Sequence, residues 1–221
     1  MRQLKNRLYT VSTLVPRGAR VADIGCDHGH LPIYLIREGI SPFCIASDIR
    51  EKPLASAKAN IQKVGLSIDT RLGAGLSTIK ADEVDCITIA GMGGEVISSI
   101  IEAAPWVKDS RYTLVLQPMT SADALRRYLC ENDFYIETEV ACLDSGKIYT
   151  VIKTTFTGEI SKKNEAFYRI GKLDARDEPA KKYIEKQLKI VEKLISDLKA
   201  AGKDCTTHLD TYNIIKKTLG E

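Results

Sequence analysis

The chain has 221 residues, 44% of them apolar, with 32 Lys and Arg against 29 Asp and Glu. That length supports one domain of moderate size plus an appendage, with a sizeable buried core. A net charge of +3 excludes a strongly basic nucleic-acid binder, and no run approaches the roughly 18 apolar residues that a membrane span requires. The N-terminal "MRQLKNRLYTV" is charged every few residues and lacks an apolar h-region, so no signal peptide is expected and the chain reads as cytoplasmic. Six dispersed cysteines and three histidines form no ligand spacing, so reduced thiols and no metal are expected.

Along the chain, the first twenty residues carry Arg2, Lys5, Arg7, Arg17 and Arg20 with no acidic partner, a candidate phosphate contact. From there to residue 132, short apolar runs alternate with helical patterns. Strands are expected over 20–25, 43–49, 69–73, 85–90 and 112–117, and helices over 31–38, 52–64, 94–103 and 121–132. Most of the strand runs lack polar alternation, as strands buried on both faces do. The Glu51-Lys52-Pro53 start and the Gly65 stop bracket the second helix. The alternation predicts a parallel sheet with helices on both faces.

The turn "DIGCDHG" follows the first strand, where Gly25 permits a sharp bend and Gly29 a close approach. Backbone N–H groups of this turn would face a ligand, and Asp48, about twenty residues on, is placed to take ribose hydroxyls. Asp27 inside the turn would repel a pyrophosphate but attract a sulfonium or an amine. That favours S-adenosylmethionine (SAM) over NAD. "RLGAGL" after the third strand, with Gly73, Ala74 and Gly75, would flank an adenine. "IAGMGGEVI" after the fourth places Ala90, Gly91, Met92, Gly93 and Gly94 where a transferred methyl would emerge, although a plain tight turn remains an alternative.

Beyond residue 132 the rhythm changes. "FYIETEVACLDSGKIYTVIKTTF" reads as a β-hairpin turning at Asp144-Ser145-Gly146, an antiparallel closure expected of a SAM-dependent methyltransferase variant of the Rossmann sheet. After Gly158 the composition becomes Lys- and Glu-rich. Ile184, Leu188, Val191, Ile195 and Leu198 form a heptad seam, followed by Leu209, Tyr212, Ile215 and Leu219. The expected organisation is therefore an α/β, Rossmann-like methyltransferase domain over 1–157 and a helical, coiled-coil-like hairpin over 158–221. The hairpin serves either substrate binding or a structural or dimer contact.

"DIGCDHGHLPIYL", "AGMGGE" and "LQPM", in this order before a helical C-terminus, resemble the bacterial tRNA (adenine-22-N1)-methyltransferase family over essentially the whole chain. The resemblance implies a class I fold, SAM as methyl donor and N1 of adenine 22 in tRNA as acceptor. The cofactor would be held by Asp23, Gly25, Cys26, Gly29, Asp48, Ile49, Gly73, Ala74, Gly75, Ala90, Gly91 and Met92. Asp27, His28 and Arg7 are the candidate catalytic residues. Alternatively, Asp27 hydrogen-bonds the loop and His28 caps the following helix. Candidate tRNA contacts are Arg2, Lys5, Arg7, Gly93, Gly94, Gln117, Pro118, Lys162 and Lys163. One departure stands out: where the family often writes G-D-G after the third strand, this chain has Ala74. Partners are then tRNA, with no membrane and no metal; oligomeric state stays open, with a monomer as the expectation. The competing readings are a methyltransferase for a small molecule and a catalytically silent RNA-binding protein.

Overall fold

The computed structural model describes residue 4 and residues 6–220; Arg2 and Lys5, named above as tRNA contacts, lie outside the described residues. A helix α1 (Asn6–Leu14) precedes β1 (Val21–Ile24), α2 (His30–Arg37), β2 (Cys44–Asp48), α3 (Glu51–Lys63) and β3 (Asp69–Leu72). Next come β4 (Cys86–Gly93), α4 (Gly94–Glu102), a 3-10 turn at Pro105–Val107, β5 (Thr113–Thr120) and α5 (Ala122–Glu131). The hairpin β6 (Phe134–Asp144) and β7 (Lys147–Phe156) leads into α6 (Glu165–Ile170), α7 (Glu178–Ala200) and α8 (Thr206–Thr218).

All seven strands form one sheet in the order β3-β2-β1-β4-β5-β7-β6. The first five are parallel, and β7 alone runs against its neighbours. The chain moves outward from β1 to β3 and then returns to place β4 on the other side of β1. This reversal opens a crevice at the carboxyl ends of β1 and β4, where ligands of open α/β sheets bind. The apolar runs that predicted doubly covered strands are buried throughout: every residue of β1 and β2 is inaccessible to solvent or nearly so.

Two apolar clusters cover the two faces of the sheet. One gathers Ile87, Ile89, Leu114 and Leu116 under α4 and α5; the other gathers Val11, Leu31, Leu35 and Ala57 under α1, α2 and α3. A third cluster belongs to the C-terminal helices but includes Ala141 of β6. Three of the heptad positions, Ile184, Val191 and Ile195, are buried there beside Ala166, Ile170 and Ile215. The seam thus packs against α6, α8 and the sheet edge together.

The tie between this helical arm and the sheet is polar as well. Arg126 of α5 is fully buried and donates from Nη2 to Glu139 Oε1 on β6 at 2.6 Å. Its Nη1 donates to the carbonyls of Tyr168 (2.8 Å) and Arg169 (3.0 Å) at the end of α6. Gly171 follows at φ +62°, and a Cβ there would collide with the Glu139 carboxylate. A buried ion pair survives only when its remaining donors and acceptors are satisfied, and here α6 supplies them.

Candidate active site

Three turns at the carboxyl ends of the strands build the crevice. After β1, Gly25 at φ +73° bends the chain so that the amides of Gly25 and Cys26 both donate to the Ser47 carbonyl, at 2.8 and 2.9 Å. The Met92 methyl lies where a Gly25 Cβ would stand, so glycine is demanded twice over. Asp27 follows at φ +50°, a left-handed conformation that Asp and Asn tolerate better than other side chains. Its amide donates to Asp48 Oδ2 at 3.1 Å, and its half-exposed carboxylate lies 3.6 Å from His28 Nε2 and 4.0 Å from Arg50 Nη2.

His28 is held from α3: its Nδ1 pairs with Ser56 Oγ at 2.7 Å, and Asn60 Nδ2 donates to its carbonyl at 3.0 Å. Neither Asp27 nor His28 caps α2. The N-cap is Gly29, with no side-chain cap bond. The alternative in which His28 serves as a helix cap is therefore corrected: its imidazole reaches sideways to α3. Gly29 lets the turn approach α3, where its Cβ would stand 3.1 Å from the Ala57 methyl.

Asp23 lies one residue before the end of β1, beneath this turn. It is buried, and its Oδ1 accepts a hydrogen bond from Thr88 Oγ1 of β4 at 2.8 Å. Desolvation pushes its carboxyl up to about 7, against the pull of the Thr88 hydroxyl and with a further push from Asp48. The Cys26 thiol is raised by burial and stays protonated, so it offers no nucleophile. Asp48, also buried, accepts the amides of Asp27 and Arg50, one on each oxygen. That leaves one lone pair per oxygen for a further donor. Ile49 beside it is exposed.

On the far side, Gly73 donates its amide to the Asp48 carbonyl at 3.0 Å. Arg71 braces the same loop by donating to the Thr78 carbonyl and to Glu83, whose carboxyl it holds down at about 2. Ala74 and Gly75 line a cavity of about 370 Å³ against Val96, Ile100 and Trp106. A smaller cavity of about 70 Å³ brings together Arg7, Asp23, Gly25, Cys26, Asp27, His28 and Ala90.

β4 continues through the glycine run instead of ending at Ala90. Bulges on either side of Met92 allow this, with Met92 facing Pro118 and Gly93 facing Thr120. The strand expected over 85–90 thus runs on to Gly93, where pairing with β5 holds extended the glycines that on their own weaken a strand. Gly91, at φ +83°, donates its amide to Gln117 Oε1 at 3.0 Å, and the same oxygen accepts Arg7 Nη1 at 2.6 Å. Gly94 lets α4 start hard against the Ser121 carbonyl.

Gln117 was expected at the substrate surface; it is fully buried, and both ends of its amide are engaged internally, Nε2 donating to the Pro118 carbonyl at 2.7 Å. It is a peg joining α1, β4 and β5. Pro118 lies in a groove of about 210 Å³ with Thr120, Arg169, Lys186 and Ile190. Lys162 and Lys163 are not brought to the crevice. They follow β7 at the amino-terminal end of the parallel strands, where Ser161 donates to the Cys130 carbonyl and the Lys163 amide to the Tyr168 hydroxyl.

Two functional partners escaped the sequence reading. Thr88 could have been noticed as a lone hydroxyl inside the apolar run "CITIAG". The helix α1 could not. Its apolar stripe is weak, and its anchors are distant: Arg7 on Gln117, 3.7 Å from Asp144, and Asn6 Nδ2 on the Leu143 carbonyl at 3.1 Å.

A five-stranded parallel sheet closed by an antiparallel hairpin, with a glycine-bent turn after β1 and a glycine-lined exit after β4, defines a Rossmann-like methyltransferase of class I. Residues 4–152 match the family described as "Methyltransferase domain". The Bacillus subtilis protein tRNA (adenine(22)-N(1))-methyltransferase is 40% identical over 152 residues, 68% of this chain and 64% of that protein, so the match spans just under two thirds of the relative. The crystal structure of the B. subtilis M1A22 tRNA methyltransferase superposes with a TM-score of 0.80 at 30% identity, covering 99% of this chain and 96% of that one. A Streptococcus pneumoniae protein solved with S-adenosyl-L-methionine gives 0.80 at 32% identity, over 96% and 98%. The chain belongs to the bacterial tRNA (adenine-22-N1)-methyltransferase family.

Among the described residues no group of His, Cys, Asp and Glu could hold a metal ion, and no helix is long and apolar enough to cross a membrane.

Proposed function

We propose that this chain transfers a methyl group from S-adenosylmethionine to N1 of adenine 22 in tRNA. The observation that carries the reading is the 40% identity with the B. subtilis tRNA (adenine(22)-N(1))-methyltransferase across the stretch that builds the crevice. The residues present suit the cofactor. A buried carboxylate, Asp23, lines a cavity floored by Gly25, whose missing Cβ leaves room for the Met92 methyl. Asp23 and the turn amides would hold the amino-acid end, Asp48 the ribose, and the Gly73–Gly75 loop the adenine.

When bound, SAM supplies an electrophilic methyl. The chain's own part is alignment and charge. Adenine N1 has a lone pair at neutral pH and needs no base to expose it, but the methylated ring is cationic. Asp27, at the rim of the cavity and half-exposed, is placed to stabilise that charge, and His28 fixes the same rim through Ser56. Gly91 keeps the exit of β4 free of side chain, and Arg7, held by Gln117, closes it from above. In a structured tRNA the target base must leave its stack, at a cost of a few kcal/mol.

The test uses purified protein, SAM and unmodified tRNA transcripts, followed by nucleoside digestion and mass spectrometry. A 1-methyladenosine peak that vanishes when adenine 22 is replaced is the expected result. A methylated nucleoside at another atom or position, or none across a panel of tRNAs despite SAM binding, would overturn it.

A further inference from the structure

The loop after β3 leans on α4. Gly75, at φ +54°, brings it so close that a Cβ there would stand 3.2 Å from the Ile100 Cγ2 methyl. The loop backbone is tied down on both sides: the Gly73 amide donates to the Asp48 carbonyl at 3.0 Å, and the Ser77 amide to the Ala74 carbonyl at 3.1 Å. Arg71 braces the next residues by donating to the Thr78 carbonyl at 2.6 Å. The space between loop and helix is therefore built into the fold. At about 370 Å³ it exceeds the roughly 150 Å³ cavity that holds a benzene ring.

This cavity begins at Ala74 and Gly75, runs along α4 past Val96 and Ile100, and ends at Trp106. Among the described residues that line it, none is charged. Apart from the Trp106 indole, its polar side chains are the hydroxyls of Ser77 and Ser99, both exposed residues. The nearby carboxylates are engaged elsewhere: Asp48, assigned above to the ribose, takes two backbone amides, and Glu83 is held by Arg71 at 2.7 Å. The exocyclic amine of an adenine at this loop therefore meets no carboxylate from it. What stands at its edge is the Ala74 methyl with an apolar recess behind. A site built to hydrogen-bond an amine rejects analogues that lack it, whereas an apolar wall distinguishes them weakly.

We infer that Ala74 sets the cofactor specificity of this chain: the adenine is selected by shape and backbone, its amino group goes unread by any acidic side chain, and the cavity behind Ala74 admits an apolar substituent on that nitrogen. The inference rests on the placement of adenine at residues 73–75 given above and is independent of the acceptor nucleotide.

The probes are S-adenosylhomocysteine, its analogue lacking the 6-amino group, and its N6-benzyl derivative, each titrated by calorimetry into the full-length protein. The analogue without the amine is expected to bind within about three-fold of the parent compound, because no strong hydrogen bond is lost. The benzyl derivative should bind at least as tightly as the parent, since the cavity takes its ring out of water. Trp106 is the chain's single tryptophan, so a benzyl group in the cavity should shift or quench its emission, and the parent compound should not. Ala74→Asp should reverse the pattern, with a preference of about ten-fold or more for the amine-bearing compound and exclusion of the benzyl derivative. Ser99→Leu fills the recess from the exposed side of α4 and should weaken the benzyl derivative alone, the unchanged affinity for S-adenosylhomocysteine showing that the variant is folded. A wild-type preference of about ten-fold or more for the amine, or rejection of the benzyl derivative with Trp106 emission unmoved, would overturn the inference while binding of the parent compound left the cofactor reading intact. Benzyl binding that Ser99→Leu does not weaken, or a pattern that Ala74→Asp does not change, would overturn it as well. Failure of S-adenosylhomocysteine itself to bind would defeat both.

Discussion

Asp27 sits at φ +50°, and this determines how its role can be probed. Alanine would introduce backbone strain together with the loss of charge, whereas asparagine tolerates the left-handed region and keeps the turn. Asp27→Asn is expected to lower kcat by about ten-fold to a hundred-fold, the scale of one electrostatic contact to a charge that develops during reaction, with SAM affinity changed little. Steady-state kinetics beside calorimetry checks this; unchanged kcat would remove Asp27 from the chemistry. Asp23 has a different signature. Its folded carboxyl is raised to about 7 from an unfolded value of 3.8, so the folded state keeps a proton that the unfolded chain releases. Its contribution to stability is therefore fully present below about pH 4 and is lost as pH rises toward about 7. Asp23→Asn should flatten the decline in Tm of the ligand-free protein across that window, as read by scanning calorimetry over a pH series. A cationic amine placed beside Asp23 would draw its pKa down. SAM binding near pH 6.5 should then release protons, detectable as a buffer-dependent enthalpy. The reason for this shift was not legible in the sequence. The strand and its terminal aspartate were readable from "VADIG", but the burial and the Thr88 partner depend on which strand becomes the neighbour.

Among the elements, the alternating strands and helices were legible because doubly buried strands are continuous apolar runs and their helices carry start and stop residues. The heptad seam of α7 was legible for the same reason. Besides α1, two features were not. The short α6 has six residues and no room for a period, and it exists because the carbonyls at its end are taken by Arg126. The extension of β4 through three glycines depends on pairing with β5, which no local pattern encodes. Gly171 is the sharpest test of how α6 is fixed. Gly171→Ala places a methyl on the Glu139 carboxylate at a left-handed position, and disrupting a buried pair costs about 3–5 kcal/mol. A fall in Tm on the order of 10 °C is expected, measured by circular dichroism. A Tm within two or three degrees of the parent would show that the pair can move aside.

At the scale of the whole molecule, the division near residue 158 marks a change of composition more than a clean cut. The helical arm shares Ala141 with the hairpin and supplies the carbonyls that satisfy Arg126. Removing residues 158–221 would leave a buried guanidinium short of partners, so the truncated chain should unfold earlier whatever it does to RNA binding. Thermal melting is expected to show a loss of at least ten degrees; an unchanged melt would mean that the sheet stands alone. The contacts of α1 bear on the order in which the protein takes shape. Arg7 meets Gln117, 110 residues later, and Asn6 meets Leu143, 137 residues later. During synthesis α1 thus leaves the ribosome well before the strands that seat it. Long-range contacts of this kind form late because loop closure must precede them. The small cavity under Arg7 is consequently completed only once β5 and the β6–β7 hairpin are in place, and a nascent chain halted before residue 144 would carry the turn after β1 without its roof.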